Sequence, residues 1–134
     1  MIIFKYKEES LGVGRGTVRR PVADVFLKTQ SGSYIEFHPY IDSGADLTLI
    51  PLSLGKLLGL HIDEKHMEQI GGIKGSVPII QTECQMRIGQ EDLKAKIAWA
   101  LIEDVPPVLG RTDIFDRFNV TFKQKEGIIK FEKS

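Results

Sequence analysis

Apolar and polar side chains alternate strictly between residues 80 and 88 of this chain. The alternation has the period of a β-strand, in which successive side chains point to opposite faces. One face of this strand would carry Ile80, Thr82, Cys84, Met86 and Ile88. Other short β-type stretches are separated by glycine and proline, and long segments of helical period are missing. The chain is therefore predicted to be all-β, a barrel or sandwich with few helices, and Cys84 to be a core residue.

Length and composition limit the number of domains and the class of protein that this chain can form. With 134 residues, 42% of them hydrophobic, the chain is expected to form one domain around one core. Lys and Arg together number 18, as do Asp and Glu, so no net charge favours nucleic acid or an anionic membrane as a partner. No apolar run approaches the ~20 residues of a membrane span, and the N-terminus lacks the pattern of a secretory signal. We expect a soluble, cytoplasmic protein.

Cys84 is the single cysteine of the chain. The monomer can therefore have no internal disulfide and no metal site built from several cysteines. We expect no metal and no cofactor.

Two helices are predicted among the strands. The first is expected from Pro51 to Leu58, with Gly59 ending it in the left-handed conformation. The second would begin with Thr112 or Asp113 as its cap and end at residue 119. Strands are expected at residues 2–7, 22–29, 34–41, 96–102, 105–109, 120–122 and 127–131, with a hairpin over residues 69–89. The first and last strands could pair with each other or across a dimer.

Asp42 directly follows the predicted strand 34–41, in the run Asp42-Ser43-Gly44-Ala45. Hydrolysis of a peptide bond by carboxylates needs two acids that share one proton, since one activates water while the other donates a hydrogen bond to the carbonyl. This run suits one such acid, because Gly44 permits a tight turn and the Ser43 hydroxyl can lock it. The same residue types are also favoured in surface turns, so the string alone is a weak signal.

Four segments in order make the signal more specific. They are Arg20-Pro21-Val22, the run from Tyr40 to Asp46, Ile70-Gly71-Gly72-Ile73-Lys74-Gly75, and Val108-Leu109-Gly110-Arg111. With them, residues 20–122 resemble the retropepsin family, the retroviral and retroviral-like aspartic proteases. The resemblance implies a closed acid-protease (retropepsin-like) barrel with a flap hairpin and one or two short helices. Residues 20–134 would form this domain, and residues 1–19 an N-terminal extension, a strand and loop at the dimer interface.

The resemblance also implies roles for individual residues. Asp42 would be the catalytic aspartate, with Ser43 and Gly44 completing the catalytic triplet. Residues that meet the substrate would be Ala45, Asp46, Leu47, Gly71, Gly72, Ile73, Val105, Pro106 and Val108. Gly110 and Arg111 would support the site, with Arg111 pairing with Asp46. The apolar residues of the 105–108 segment suggest a preference for hydrophobic residues beside the cleaved bond.

One Asp-Ser-Gly triplet per chain implies a site shared between two chains. The chain is less than half as long as a two-lobed pepsin-like enzyme, so we expect a two-fold homodimer in which two Asp42 carboxylates meet and titrate as a pair. The expected function is an aspartic endopeptidase acting on extended peptides at acid to near-neutral pH. The alternative is a non-catalytic dimeric module that binds extended peptides in the same cleft.

Four other patterns favour simpler explanations. His61 and His66 flank two acids but lack the His-Glu-x-x-His spacing of a zinc site, so a solvated turn is expected. The glycine-rich segment 12–16 fails the dinucleotide-binding spacing and is expected to be a loop. The arginines between residues 15 and 20 lack aromatic partners and are expected to face solvent. Cys84 with a histidine could form a thiol protease, but its place on an apolar strand face favours packing.

Overall fold

The computed structural model describes residues 1–72 and 75–134. Within them the chain is mostly strand, with one α-helix and a short 3-10 turn at Glu64–His66. In chain order the other elements are β1 (Ile2–Lys5), β2 (Lys7–Ser10), β3 (Thr17–Arg20), β4 (Val25–Lys28), β5 (Tyr34–Phe37), β6 (Tyr40–Ile41), β7 (Thr48–Ile50), α1 (Leu52–Leu57), β8 (Met67–Gly72), β9 (Gly75–Ile88), β10 (Glu91–Ala100), β11 (Val108–Leu109), β12 (Phe118–Lys123) and β13 (Ile128–Lys133). Among the helices of these residues, none combines the length and apolar character that crossing a membrane requires.

The largest sheet has the strand order β5-β4-β9-β10-β7-β11-β6, with β8 paired to β9. It curls into a half-barrel whose centre is the long antiparallel pair of β9 and β10. Cys84, Met86 and Ile88 of β9 are buried in the core while Gln81, Glu83 and Gln85 are exposed, so the predicted alternation is confirmed. Burial also raises the pKa of the Cys84 thiol, as expected of a packed cysteine. Closure of the barrel stays a prediction.

The first predicted helix is confirmed as α1. Gly59 follows it with φ of 89°, and the amides of Gly59 and Leu60 donate to the carbonyls of Lys56 and Gly55, each at 3.0 Å. This pair of bonds is the Schellman motif that ends a helix at glycine. A Cβ on Gly55 would lie 2.0 Å from Nε1 of Trp99, so the helix can pack this closely on β10 because residue 55 has no side chain.

The prediction of a second helix at residues 112–119 is wrong, because residues 112–117 form turns and residues 118 and 119 already belong to β12. Asp113 adopts φ of 69°, which interrupts any helix there. The Asp113 carboxylate accepts a hydrogen bond of 2.9 Å from the Lys96 amide of β10, and this contact ties the segment to the sheet. The apolar stripe that suggested a helix does reach the core, since Ile114 and Phe118 are buried.

The chain termini meet in a sheet of order β1-β13-β12. β1 pairs antiparallel with β13 of the same chain, from Ile2↔Phe131 to Lys5↔Ile128. The sequence allowed the first and last strands to pair within one chain or across a dimer, and the structure has the pairing within the chain. β2 and β3 form a separate two-stranded sheet, the N-terminal hairpin, in which Lys7 lies opposite Arg20. A role of residues 1–19 at a dimer interface stays a prediction.

Candidate active site

Three short strands hold the segment 42–47, hereafter the Asp42 loop. The loop connects β6 to β7, and β11 lies between these two strands, parallel to β6 and antiparallel to β7. Val108 of β11 is the Cα partner of both Tyr40 and Leu49. Because β11 comes from a distant part of the chain, both ends of the loop are fixed by one tertiary contact.

Asp42 begins the loop, and its backbone is anchored to β11. Its amide donates to the carbonyl of Leu109 at 3.0 Å, and its own carbonyl accepts from the amide of Ala45 at 3.2 Å. Oδ1 of Asp42 accepts from the Gly44 amide at 2.9 Å, which closes a tight Asx turn. A Cβ on Gly44 would lie 3.3 Å from that oxygen, tighter than an ordinary contact. Asp42, Ser43 and Gly44 are all exposed, so the carboxylate faces solvent in the single chain.

Gly110 and Thr48 join the loop to β11 from inside. The Gly110 amide donates to the Thr48 hydroxyl at 3.1 Å, and the Thr48 side chain is completely buried. A Cβ on Gly110 would lie 2.4 Å from the carbonyl of Leu47, so only glycine fits between the two segments. The sequence predicted Gly110 as a support of the site but did not predict Thr48. The one sequence signal for Thr48 was its position as a lone hydroxyl residue inside the apolar run Leu47-Thr48-Leu49-Ile50.

Arg111 contacts the Asp42 loop through its backbone amide and through its side chain. Its amide donates to the Ala45 carbonyl at 2.9 Å, and the Thr112 amide donates to the Asp46 carbonyl at the same distance. Nη2 of Arg111 forms an ion pair with Oδ1 of Asp46. Both side chains are largely exposed, at 53% and 81%, so the ion pair adds at most about 1 kcal/mol and the backbone bonds carry the attachment.

An open cleft of about 450 Å³ adjoins Asp42 and is hereafter the Asp42 cleft. Its apolar wall consists of Pro21, Ile41, Pro106 and Val108. Its polar residues are Glu9, Arg20, Tyr40 and Asp42 itself. Pro106 and Val108 were predicted to contact substrate, and the structure brings them beside Asp42. Val105 does not line this cleft.

Glu9, Arg20 and Tyr40 form a polar cluster at the Asp42 cleft that sequence reasoning missed. The Tyr40 hydroxyl donates to Oε2 of Glu9 at 2.9 Å, and Nε of Arg20 lies 3.5 Å from the same oxygen. The hydrogen bond to Glu9, together with burial, raises the pKa of the Tyr40 phenol. Glu9 reaches the cleft from β2, and no local sequence signal connects it with Asp42.

The predicted flap is a hairpin of β8 and β9. Gly71 pairs with Ser76 and Gly72 with Gly75, and the register continues to Met67↔Ile80. Ile73, predicted to offer its amide to substrate, lies outside the described residues, as does Lys74.

Among the described residues, one group of side chains has the geometry of a metal site. The ligand atoms of Asp24, Glu36 and His38 lie within 4.8 Å of one another. However, the Lys7 ammonium already contacts Oδ1 of Asp24 at 2.5 Å and Nδ1 of His38 at 3.2 Å. A second cation there would be repelled by this ammonium, so the group is best described as an ion-pair network that fastens β2 to the sheet.

A second cavity, of about 540 Å³, lies between β1, β13 and the turn from β9 to β10. It is larger than the Asp42 cleft but contains no residue of the Asp42 loop. Its size therefore does not make it the candidate site, since the predicted catalytic residues lie in the loop.

Comparison with known proteins identifies the fold. No protein-family model matches the chain, and no curated protein sequence matches it. A retropepsin-like aspartic protease from Rickettsia conorii is 16% identical with a TM-score of 0.64, over 96% of this chain and 95% of that one. EIAV protease complexed with the inhibitor HBY-793 is 19% identical with a TM-score of 0.57, over 81% of this chain and 93% of that one. The chain therefore has a retropepsin-like fold.

Proposed function

We propose that this chain is one subunit of a homodimeric aspartic endopeptidase whose active site contains two Asp42 carboxylates. The observation that carries the proposal is the exposed Asp42 at the end of β6, anchored to Leu109 of β11, in a retropepsin-like fold. Oδ1 of Asp42 closes the Asx turn with the Gly44 amide, and the same carboxylate lies exposed at the Asp42 cleft, where it is accessible to a bound peptide. Each chain supplies one such aspartate, so a second copy supplies the other.

In the proposed mechanism the two carboxylates share one proton, because like charges at short range cannot both ionise readily. The ionised Asp42 takes a proton from water, whose oxygen attacks the carbonyl carbon of the peptide bond. The protonated Asp42 of the other subunit donates its hydrogen bond to the carbonyl oxygen. When the C–N bond breaks, the Asp42 that took the proton from water passes it to the leaving amine. The pair titrates as a unit, so activity is expected at acid to near-neutral pH.

The other predicted residues have supporting roles in this proposal. Ser43 hydrogen bonds across the two-fold axis, and Gly44 keeps the turn tight. Substrate contacts are assigned to Ala45, Asp46, Leu47, Gly71, Gly72, Ile73, Val105, Pro106 and Val108. The β8–β9 hairpin acts as the flap over an extended peptide, the half-barrel sheet belongs to a closed acid-protease barrel, and residues 1–19 lie at the dimer interface.

The direct test replaces the proposed catalytic acid. A peptide library is incubated with wild type and Asp42→Asn from about pH 3 to about pH 8, and the mutant is expected to lose at least about 1000-fold in kcat because the general base is gone. Asp104→Asn is the matched control, since Asp104 is an exposed aspartate outside the Asp42 loop and the Asp42 cleft. Cleavage that persists in Asp42→Asn contradicts the mechanism. Asp42-independent binding of peptides without cleavage would instead identify a peptide-binding module.

Mixing the two proteins tests whether the site is shared. After subunit exchange with an equal amount of Asp42→Asn, activity should fall to about one quarter of that of the same total amount of wild type, because about one dimer in four retains both acids. Monomers that act independently would retain about one half. Sedimentation of the same samples reports the oligomeric state, and a strictly monomeric active protein overturns the proposal.

A further inference from the structure

Backbone hydrogen bonds of Tyr6 and Pro21 hold the two ends of the N-terminal hairpin of β2 and β3, and side chains attach the strands between them to the rest of the molecule. The hairpin forms a two-stranded sheet of its own, and such a hairpin is only marginally stable alone. Its side-chain contacts include the bond of the Tyr40 hydroxyl to Glu9, the bonds of the Lys7 ammonium to Asp24 and His38, and the bond that Arg19 donates to the carbonyl of Gln124 at 3.3 Å. The hairpin is thereby held beside the Asp42 cleft.

β2 contains two neighbouring glutamates that lie on opposite faces of the strand. Side chains of Glu8 and Glu9 point to opposite faces of the strand. Glu9 is half-buried and lines the Asp42 cleft, whereas Glu8 is exposed and does not line it. Two glutamates one residue apart therefore differ in access to the same cleft.

Glu9 neutralises a charge inside the cleft. Its Oε2 lies 3.5 Å from Nε of Arg20, and both residues line the cleft with Asp42. With the two charges paired, the remaining charge in the cleft is that of Asp42. Pro21, Pro106 and Val108 give the same cleft an apolar lining beside this polar cluster. Such a cleft is complementary to an apolar stem that ends in an uncharged polar group, because an acidic tip would meet the carboxylates of Glu9 and Asp42.

We propose that Glu9 is a specificity-determining residue that compensates Arg20 in the Asp42 cleft and makes it select an uncharged side chain with an apolar stem and a polar tip, such as glutamine, over glutamate. This inference rests on the proposed endopeptidase function. It concerns a residue of the N-terminal hairpin, outside the segments from which the function was inferred.

The test compares substrates that differ only in charge. Peptides cleaved by wild type are prepared with glutamine or glutamate at each of the two residues flanking the cleaved bond, and kcat/KM is measured near pH ~6, where the substrate glutamate is ionised. Wild type is expected to prefer glutamine. Glu9→Gln leaves Arg20 uncompensated, so the preference should fall by about 3- to 5-fold, through a lower KM for the glutamate peptide.

Two further variants separate charge from structural damage. Arg20→Gln leaves Glu9 uncompensated and should raise the preference for glutamine by a similar factor, while the double variant Glu9→Gln/Arg20→Gln should return it near the wild-type value. Glu8→Gln, the matched control on the same strand, should leave the preference unchanged. Damage to the hairpin alone would change kcat/KM on both peptides by the same factor. It would not change the preference for glutamine in opposite directions in Glu9→Gln and Arg20→Gln.

The possible failures are distinguishable. Asp42-dependent cleavage with the same preference in wild type and Glu9→Gln overturns the role of Glu9 and leaves the endopeptidase proposal standing. An equal shift in Glu8→Gln likewise overturns it, because the effect would then come from the overall charge of the hairpin. Absence of Asp42-dependent cleavage in wild type overturns the proposed function and this inference with it.

Discussion

The Asp42 loop and the N-terminal hairpin border the same cleft but are held in opposite ways. Backbone hydrogen bonds to β11 and the buried Thr48 hydroxyl fix the loop. The hairpin depends on side-chain contacts such as those of Glu9 and Lys7, which are partly exposed to solvent. Buried, fully paired contacts resist changes of pH and salt, whereas exposed ion pairs are screened. In the proposed function, the loop side of the cleft carries the chemistry and the hairpin side the selectivity.

Among substitutions that test this difference between loop and hairpin, Gly110→Ala is expected to have the largest effect on stability. The new Cβ would lie 2.4 Å from the Leu47 carbonyl. Because this neighbour is backbone and cannot rotate away as a side chain can, the free energy of unfolding should fall by about 3 kcal/mol. Urea unfolding followed by fluorescence of the buried Trp99, the single tryptophan, measures this.

Gly71→Ala is the matched control for that substitution. A Cβ on Gly71 would meet no heavy atom of the described residues within 4 Å, so its stability should stay within about 0.5 kcal/mol of wild type. Equal stability of Gly110→Ala and Gly71→Ala would contradict the close crossing of β11 and the Asp42 loop.

A smaller effect is expected from Thr48→Val, which keeps the shape of the side chain and removes its hydroxyl. The Gly110 amide then loses its buried acceptor, and stability should fall by about 2 kcal/mol. The same substitution at the exposed Thr121 of β12 should change stability by less than about 0.5 kcal/mol. If the two valine variants unfold at the same urea concentration, the buried hydrogen bond does not anchor the loop.

The smallest effect is expected on the hairpin side, from Asp24→Asn. Burial acts to raise the pKa of the Asp24 carboxyl, but the hydrogen bonds and charges of Lys7 and His38 outweigh it and lower the pKa below its ordinary value. A carboxyl with a lowered folded-state pKa stabilises the protein above its unfolded-state pKa, about 4, and loses that contribution as pH falls through the folded-state value. Because both partners are partly exposed, the contribution at neutral pH should be below about 1 kcal/mol.

Urea unfolding at a series of pH values measures the difference between wild type and Asp24→Asn. The difference should be largest at neutral pH and should disappear in acid, below the lowered pKa of Asp24. A difference that grows as the pH falls would show that the Lys7 and His38 contacts do not favour the ionised carboxylate.

Much of the fold followed from local patterns. The alternation in β9 and the signals at Pro51 and Gly59 for α1 predicted those elements, because period and backbone freedom act over a few residues. The second helix failed for a reason that lies outside its own sequence. Asp113 takes a left-handed conformation while its carboxylate bonds to the Lys96 amide, and this contact joins two distant segments.

The residues of the candidate site also fall into those that local motifs predicted and those that depend on distant partners. The position of Asp42 at a strand end and the run Val108-Leu109-Gly110 were visible as motifs. Thr48 and Glu9 were missed because their significance depends on partners far along the chain: Gly110 for Thr48, and Tyr40 for Glu9. No local signal distinguishes Glu9 from Glu8 except the face of the strand on which each lies.

Local patterns in the sequence are enough to predict where strands alternate, where glycine permits a turn, and that an aspartate follows a strand in a chain with a single Asp-Ser-Gly triplet. Three features depend on the folded chain: β11 passes between β6 and β7, Thr48 is buried beneath the loop, and Glu9 lines the Asp42 cleft. The two sets differ in the range over which the interactions act. Backbone conformation and periodicity are set by neighbouring residues, whereas hydrogen bonds and charge pairs between distant segments exist only once the core has brought those segments together.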